Sequence, residues 1–496
     1  MTSPNMRICL ITPPSLFLTI ERVFMSLGIL RIAAVLEQAG YKIDFLDLSG
    51  IENYLDVVND YLEYSDVTMF GISATTPQVP VAVKICNVIH AQRPTAKVIL
   101  GGAHVTAINA AYRQELEHGE SGRSAKAIDK LRSIFDVLVA GDGEQAIFRA
   151  IEFDGPTLID ADDKDSPMFL EAWQIDVLPL PARHLLDVSS YKYTIDGVKA
   201  LSLVSQQGCP YKCGFCGGRA SPSMRCVRPR SVENTISEIE HLHKKYGING
   251  FMLYDDELNL NNARMMNLMW CLATAQKELG QEFRFRGFVR SNLFTNEQAQ
   301  AMYWAGFRWI IVGFESGSQR MLDNMEKQAT VEDNTRCMEI AKRNGLKVKA
   351  AMSIGHPGES VDTINQTMVW LLAMRPDSMD VSIITPYPGS LYYNKAVQLS
   401  GYDNIWVYTS KKHKDNLYMY NVDYTSTDVY YKGVPGEYKS YVYTDCLTVD
   451  DLVELREDIA TITQESLGLP NLEMGFTRYD RSVCRLPPNI MRKSDE

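Results

Sequence analysis

ALSLVSQQGCPYKCGFCGG, residues 200–218, is the stretch on which the fold turns. Its first half reads as a β-strand of apolar and small polar residues. Its second half sets Cys209, Cys213 and Cys216 in a C-x3-C-x2-C spacing directly after that strand. Glycines at 208, 214, 217 and 218 allow backbone turns that a side chain would hinder, so the loop can wrap one compact metal centre. Three thiolates anchor a four-iron, four-sulfur cluster and leave one iron without a protein ligand, whereas clusters that only carry electrons usually take four cysteines. An open iron is a place for a small molecule to coordinate. A structural zinc site needs four ligands, and none stands at typical spacing: Cys226 follows ten residues on, past Pro222, and no histidine lies between 185 and 240. Zinc and a chance grouping stay open as alternatives on this reading of the residues alone.

Downstream of this stretch the pattern repeats. Strands are expected at 248–256, 283–290, 308–316, 347–355 and 379–386, with helices between them, for example SVENTISEIEHLHKKYG, which ends in Lys-Lys before Gly247. Six strand–helix units fall short of the eight that close a full barrel, so an open, partial barrel with a lateral mouth is expected. Upstream, residues 6–12, 42–48, 67–73, 96–102 and 136–141 are short apolar strands alternating with helices such as 27–40 and 80–92. That is the signature of a parallel sheet covered on both faces, with ligands at the C-terminal ends of its strands. The fold class is therefore α/β. A doubly wound sheet occupies 1–155, an Asp- and Pro-rich linker 156–198, a partial (β/α)6 TIM-type barrel 199–395, and an α-rich extension 396–496, with few clear strands, many tyrosines and an amphipathic helix at 449–467.

The chain has 496 residues, 45% hydrophobic and 22% charged, which excludes wholesale disorder. With 61 acidic and 50 basic residues the net charge is −11, which argues against non-specific nucleic-acid binding. Ten cysteines are too sparse for a disulfide scaffold. No apolar run approaches a membrane span, and the first residues do not read as a signal peptide; a cytoplasmic protein is expected. Lys411, Lys412, His413 and Lys414 form a small basic patch, read as solvated surface.

The cysteine spacing, with Phe215 just before the third cysteine, resembles the hallmark of radical S-adenosylmethionine (SAM) enzymes over roughly residues 200–395. The resemblance implies a 4Fe-4S cluster on Cys209, Cys213 and Cys216 whose free iron chelates SAM, and cleavage of SAM to a 5′-deoxyadenosyl radical after one electron arrives from an external donor of flavodoxin or ferredoxin type. It implies SAM contacts at Phe215 (adenine), Asp255 in Tyr254-Asp255-Asp256-Glu257 (methionyl amine, though Gly-Gly-Glu is absent), Arg290 (carboxylate), Glu315 and Ser316 (ribose or sulfonium), and Gly355 in Gly355-His356-Pro357-Gly358 (adenine).

The preceding domain, in SLGILRIAAVLEQAGYKIDFLDL, GISATTPQ, KVILGGAHVTA and DVLVAGDGEQA, resembles the cobalamin-binding branch of that family. Cobalamin contacts then fall on Thr75, Thr76 and Gln78 near the ring, on Gly101, Gly102, Ala103 and His104 along the nucleotide tail, and on Gly141 and Glu144 at its distal end. Asp-x-His-x-x-Gly is missing, since His104 lacks the flanking Asp and Gly, so a cobalt without histidine ligation is implied. The resemblance implies cobalamin-dependent methylation at an sp3 carbon of a small molecule, such as a natural-product or sugar-like intermediate. The alternative is a radical dehydratase, deoxygenase or epimerase on an aminoglycoside-like sugar.

Overall fold

The computed structural model describes residues 6–15, 21–119, 121–431, 438–468 and 491–493. Strands β1 (Arg7–Thr12), β2 (Lys42–Asp47), β3 (Met69–Ser73), β4 (Lys97–Gly101), β5 (Val137–Gly141) and β6 (Thr157–Ala161) form a parallel sheet in the order β2-β1-β3-β4-β5-β6. Short Met491–Lys493 lies antiparallel on the β2 edge. Successive strand residues enter opposite helical layers: Ile8, Leu10 and Phe45 pack into one, Cys9, Ile11 and Phe70 into the other. That is why these strands read as unbroken apolar runs. The strand order reverses between β1 and β3, the place where such sheets open a ligand crevice. Gln78 spans it, its Nε2 donating to the Pro13 carbonyl at 2.9 Å and to Ser15 Oγ at 3.0 Å. Strand β6 falls within the stretch read as linker. It is a short edge strand flanked by aspartates, a composition that suits an exposed sheet edge and masks the strand in sequence.

All six strands of the second series form, as β7 (Val198–Leu203), β8 (Gly250–Leu253), β9 (Arg284–Phe288), β10 (Phe307–Glu315), β11 (Lys347–Ile354) and β12 (Ser378–Ile383). Each is parallel to its predecessor. Among the described residues β12 and β7 do not pair, and the two-residue strand Thr194–Ile195 flanks β7, so the barrel stays open. The helix Val232–Tyr246 starts where Ser231 Oγ accepts the Asn234 N–H at 3.1 Å and stops at Gly247, φ +65°.

The extension holds the expected helix, Val449–Leu467. The expectation of an α-rich module with few strands is corrected by a four-stranded antiparallel sheet of β13 (Val397–Gln398), β14 (Ile405–Thr409), β15 (Asn416–Tyr420) and β16 (Val442–Tyr443). Two of these strands have only two residues and owe their pairing to tertiary neighbours, which is why no periodicity betrays them.

One hydrophobic cluster runs from Leu30 of the first domain to Leu203 and Phe251 of the second. Polar clamps add to it. Asp162, fully buried, accepts Ser221 Oγ at 2.5 Å and the Ser223 N–H at 3.0 Å, and Arg228 donates to Asp142 at 3.0 Å. Both join the end of the first sheet to the segment just after the cysteine loop. Among the described residues no helix is long and apolar enough to cross a membrane.

Candidate functional site

The cysteine loop leaves β7 and crosses the open end of the barrel. Its carbonyls are tied from outside, Pro210 and Tyr211 by the Arg225 guanidinium and Lys212 by that of Arg219. From inside, the Gly214 N–H donates to the Met325 carbonyl at 2.6 Å and the Gly214 carbonyl accepts the Tyr392 N–H at 3.2 Å. Gly208 opens the loop with φ +89°, and a Cβ there would overlap the Cys226 carbonyl oxygen.

The three thiols share one electrostatic neighbourhood. Burial pushes Cys216 up to about 11, with Cys213 and then Cys209 adding to the shift. Cys209 is raised by burial and further by Glu257, Asp256 and Cys213. Among the described residues no three His, Cys, Asp or Glu side chains converge on a point that one metal ion would fill. Mutually coupled thiols on one loop suit the three-anchored cluster that their spacing implies. They must shed their protons to bind it.

The wall opposite the thiols is built from strand ends. Asp255 turns inward: it is 1% exposed and accepts both the Ser205 N–H (2.7 Å) and Ser205 Oγ (2.5 Å), so it ties β8 to β7. Its neighbours Asp256 and Glu257 act on Cys209 instead. Asp256 accepts the Gly208 N–H at 2.8 Å. Glu257 is pushed up to about 7 by burial, with Lys327 and Arg290 opposing. Arg290 stands two residues past the end of β9 and is buried. Its guanidinium stacks 3.4 Å from the Tyr211 ring centroid and donates to the Lys327 carbonyl, while its Nε has no partner among the described residues.

Glu315 holds φ +67°, at a bulge where β10 loses register with β11. Such backbone costs of order 1–3 kcal/mol and persists where its surroundings over-determine it. Here Lys327 Nζ and Ser353 Oγ each donate to its carboxylate at 2.9 Å. Lys327, whose pKa is raised to about 12 with Glu315 and Cys213 as the upward causes against desolvation, is the cation that sequence reading missed. It stands in a helix-to-helix turn with no motif to mark it. Ser316 is buried, and its hydroxyl lies 2.9 Å from Thr367 Oγ1, against helix Val361–Met374.

Phe215 packs edge-to-face on His356, centroids 5.4 Å apart. The imidazole is fully buried between Ser353 Oγ (2.9 Å) and the Tyr392 hydroxyl (3.2 Å), and its pKa is lowered to about 3 by burial and then Lys327. Gly355, φ +85°, donates its N–H to Glu359 Oε2 at 3.2 Å. Burial pushes the Glu359 carboxyl from the ordinary 4.5 up to about 7, against hydrogen bonds that lower it. A folded-state pKa above the unfolded one means that folding retains a proton, so this group's contribution to stability is full below pH 4.5 and is lost as pH rises to about 7. Glu359→Gln is therefore expected to flatten the decline in thermal midpoint between pH 5 and pH 8, measured at one-unit steps; an unchanged slope would contradict this.

The cobalamin-type positions line up along the C-terminal edge of the first sheet. Thr75 and Gln78 form a capping box, with the Thr75 N–H donating to Gln78 Oε1 at 3.0 Å, and Thr76 opens the short helix. A Cβ on Gly101 would meet Val139 in ordinary contact, 3.7 Å from its carbonyl oxygen, and Gly102, φ +104°, brings the turn to where a Cβ would lie 2.6 Å from the Ala74 carbonyl oxygen. Ala103 is exposed. Gly141, φ +83°, donates its N–H to Thr106 Oγ1 at 2.9 Å, and Glu144 turns to Arg31 at 3.9 Å. His104 is 1% exposed, and neither ring nitrogen has a partner among the described residues. Burial lowers its pKa to about 3, and it packs edge-to-face on Tyr424 of the extension, centroids 5.7 Å apart. A close-approach cradle with an orphaned buried imidazole fits a large polar ligand.

The two edges face each other. A Cβ on Gly389, just past β12, would lie 2.5 Å from the Gly217 carbonyl of the cysteine loop and 3.1 Å from the Ala107 carbonyl of the helix that follows β4. Tyr254, just past β8, is 48% exposed and packs tilted against Phe24 (centroids 5.2 Å) and edge-to-face on Phe288 (6.0 Å).

Comparison with known proteins agrees with this arrangement. The pattern of the Radical SAM superfamily matches residues 203–371, and that of the B12 binding domain matches 15–129. The chain is 26% identical over 407 residues to the uncharacterized methyltransferase PH0819 of Pyrococcus horikoshii, covering 79% of this chain and 83% of that protein. It is 24% identical over 385 residues to the anaerobic magnesium-protoporphyrin IX monomethyl ester cyclase of Cereibacter sphaeroides, covering 72% of this chain and 58% of the cyclase. In fold it is similar to TsrM from Kitasatospora setae, a radical S-adenosylmethionine methyltransferase solved with cobalamin and a [4Fe-4S] cluster, at TM-score 0.60 and 18% identity over 78% of this chain and 77% of that one. With the three-cysteine loop at the mouth of a partial barrel and a doubly wound domain facing it, the chain belongs to the radical SAM superfamily, in the branch that joins a B12-binding domain to the barrel.

Proposed function

We propose that this chain is a cytoplasmic, cobalamin-dependent radical SAM methyltransferase acting on a small molecule. The observation that carries the reading is the apposition of the two edges, with the cysteine loop and the helix after β4 meeting at Gly389. When bound, the cluster supplies the electron that cleaves SAM to a 5′-deoxyadenosyl radical, and cobalamin supplies the methyl group. The protein's part is positioning and exclusion of water. Cys209, Cys213 and Cys216 would hold the cluster. Lys327 and Arg290 offer buried positive charge to a carboxylate, and Asp256 and Glu257 offer acceptors to an amine. Phe215 and Gly355 flank the space for an adenine. Asp255, Glu315 and Ser316 hold strand ends in register around that space, Glu315 by fixing Lys327. Thr75, Thr76 and Gln78 at the β1/β3 crevice, Gly101 to His104, and Gly141 with Glu144 would receive the corrin and its tail.

Anaerobic reconstitution with SAM, methylcobalamin and a strong reductant tests the whole. Formation of 5′-deoxyadenosine together with S-adenosylhomocysteine and a product 14 mass units heavier is the outcome this reading requires of the true substrate. 5′-Deoxyadenosine without S-adenosylhomocysteine would leave a radical enzyme of another kind. No observation at the site favours the dehydratase, deoxygenase or epimerase reading.

His104 gives a test of the cobalamin cradle. A buried donor or acceptor without a partner costs about 1–3 kcal/mol, so His104→Leu is expected to raise the denaturation midpoint of the cobalamin-free chain. It is also expected to weaken corrin retention, read by visible absorbance after gel filtration. Unchanged retention would separate His104 from the cobalamin site.

A further inference from the structure

We propose that the outer face of the cysteine loop is the electron-entry surface, built to dock an acidic one-electron carrier protein. This rests on the cluster reading above and adds the partner's landing place and charge.

The sequence separates the basic stretch Lys411 to Lys414 from the cysteine loop by some two hundred residues, and the fold brings them together. The stretch is the turn between β14 and β15. It lies on helix Gln319–Asn324, with Lys412 Nζ 2.6 Å from Asp323 and Lys411 Nζ 3.8 Å from Glu326. Glu326 also takes Arg219 at 2.9 Å, and Arg219 caps the Lys212 carbonyl within the cysteine loop. Met325, one residue back, accepts the Gly214 N–H. The turn and the cysteine loop are therefore joined through the same two residues, Met325 and Glu326.

Lys212, Arg219, Arg225, Lys411, Lys412 and Lys414 make one cationic surface around the loop. Asp323 and Glu326 balance only part of it, and Lys212 and Lys414 have no carboxylate partner among the described residues. Lys411 and Lys412 keep 79% and 62% of their side chains in solvent. On a chain of net charge −11 this is a local reversal of sign. It would orient an acidic partner that the rest of the surface repels, the arrangement that sets encounter rate and register more than affinity. The step balances simply. A flavin hydroquinone on the carrier loses one electron and leaves as the semiquinone, the cluster gains that electron, and no bond or atom is transferred.

The test uses the reconstituted holoenzyme and photoreduced flavodoxin as the probe, with cluster reduction followed by stopped-flow absorbance. Lys411→Glu combined with Lys414→Glu is expected to lower the second-order rate by at least tenfold. Iron content, SAM-dependent spectral shift and reduction by dithionite should stay at parent values. Raising the salt from low to physiological ionic strength should slow the parent more than the variant. Lys244→Glu is the control, since it lies on helix Val232–Tyr246, which runs back toward the opposite end of the barrel. Equal flavodoxin rates in variant and parent would overturn the proposal, as would a parent that dithionite reduces and flavodoxin does not. A charge-reversal effect on RNA binding alone, with flavodoxin rates unmoved, would reassign the patch to nucleic acid. Failure of dithionite itself would instead sink the cluster reading on which the proposal rests.

Discussion

Cys213→Ala is expected to strip the iron–sulfur absorbance from the reconstituted protein and to take 5′-deoxyadenosine formation below detection. The loss should exceed the roughly 10–100-fold that follows removal of a residue merely supporting a metal ligand. Cys213 is the deepest of the three thiols, 8% exposed, with Lys327 and Tyr392 both within its electrostatic reach. It sits where the loop is pinned from two sides through Gly214. Losing it removes one of three anchors, and two thiolates would not hold a cubane in place. The reading is checked by iron and sulfide analysis beside electron paramagnetic resonance of the reduced protein. A Cys226→Ala variant serves as the internal comparison, because that thiol lies ten residues past Cys216, outside the C-x3-C-x2-C spacing, and it should load iron as the parent does. Full iron loading in Cys213→Ala would end the assignment of this loop as the cluster site.

A second large effect is expected from a residue that touches no iron. Gly208→Ala keeps every thiol, yet it asks a Cβ to occupy the space of the Cys226 carbonyl oxygen at φ +89°. The left-handed backbone alone costs an alanine about 1–2 kcal/mol, and the overlap demands that the loop or the segment at Cys226 move as well. Movement would also break the Gly208 N–H to Asp256 hydrogen bond. Loading with iron is expected to drop to roughly a tenth or less, the range in which loss of a supporting contact lowers metal affinity. Circular dichroism should show the barrel retained. Normal loading in this variant would mean that the loop reaches its shape without the turn at Gly208.

Much of this protein could be read from its residues. Both alternating series were visible in the sequence: strands of the first sheet such as Arg7–Thr12 read as apolar runs because both their faces are covered, while barrel strands such as Arg284–Phe288 and Ser378–Ile383 alternate buried and half-buried residues. The helix at Val449–Leu467 and the Ser231 and Gly247 boundaries followed from periodicity and capping. Strand β6 and the antiparallel sheet of the extension did not, since edge strands of two to five residues carry too little pattern and are held by what they pair with.

The site divides along the same line. Cysteine spacing is a local property, fixed by the reach of one loop, so Cys209, Cys213, Cys216 and Phe215 could be proposed from sequence. Which acid of the Asp255-Asp256-Glu257 run faces the thiols depends on a hydrogen bond from Ser205, fifty residues away. The presence of Lys327 beside Glu315 depends on a bulge that only the β10–β11 pairing imposes. Lys411 reaches the cysteine loop through a turn in a sheet that sequence did not show. Composition and period thus determined the layers and the spacing of the cysteine loop, because those are set by neighbours in the chain. The charges that surround the loop were decided by the tertiary structure, because Coulomb interactions act between groups that only folding brings within a few ångströms.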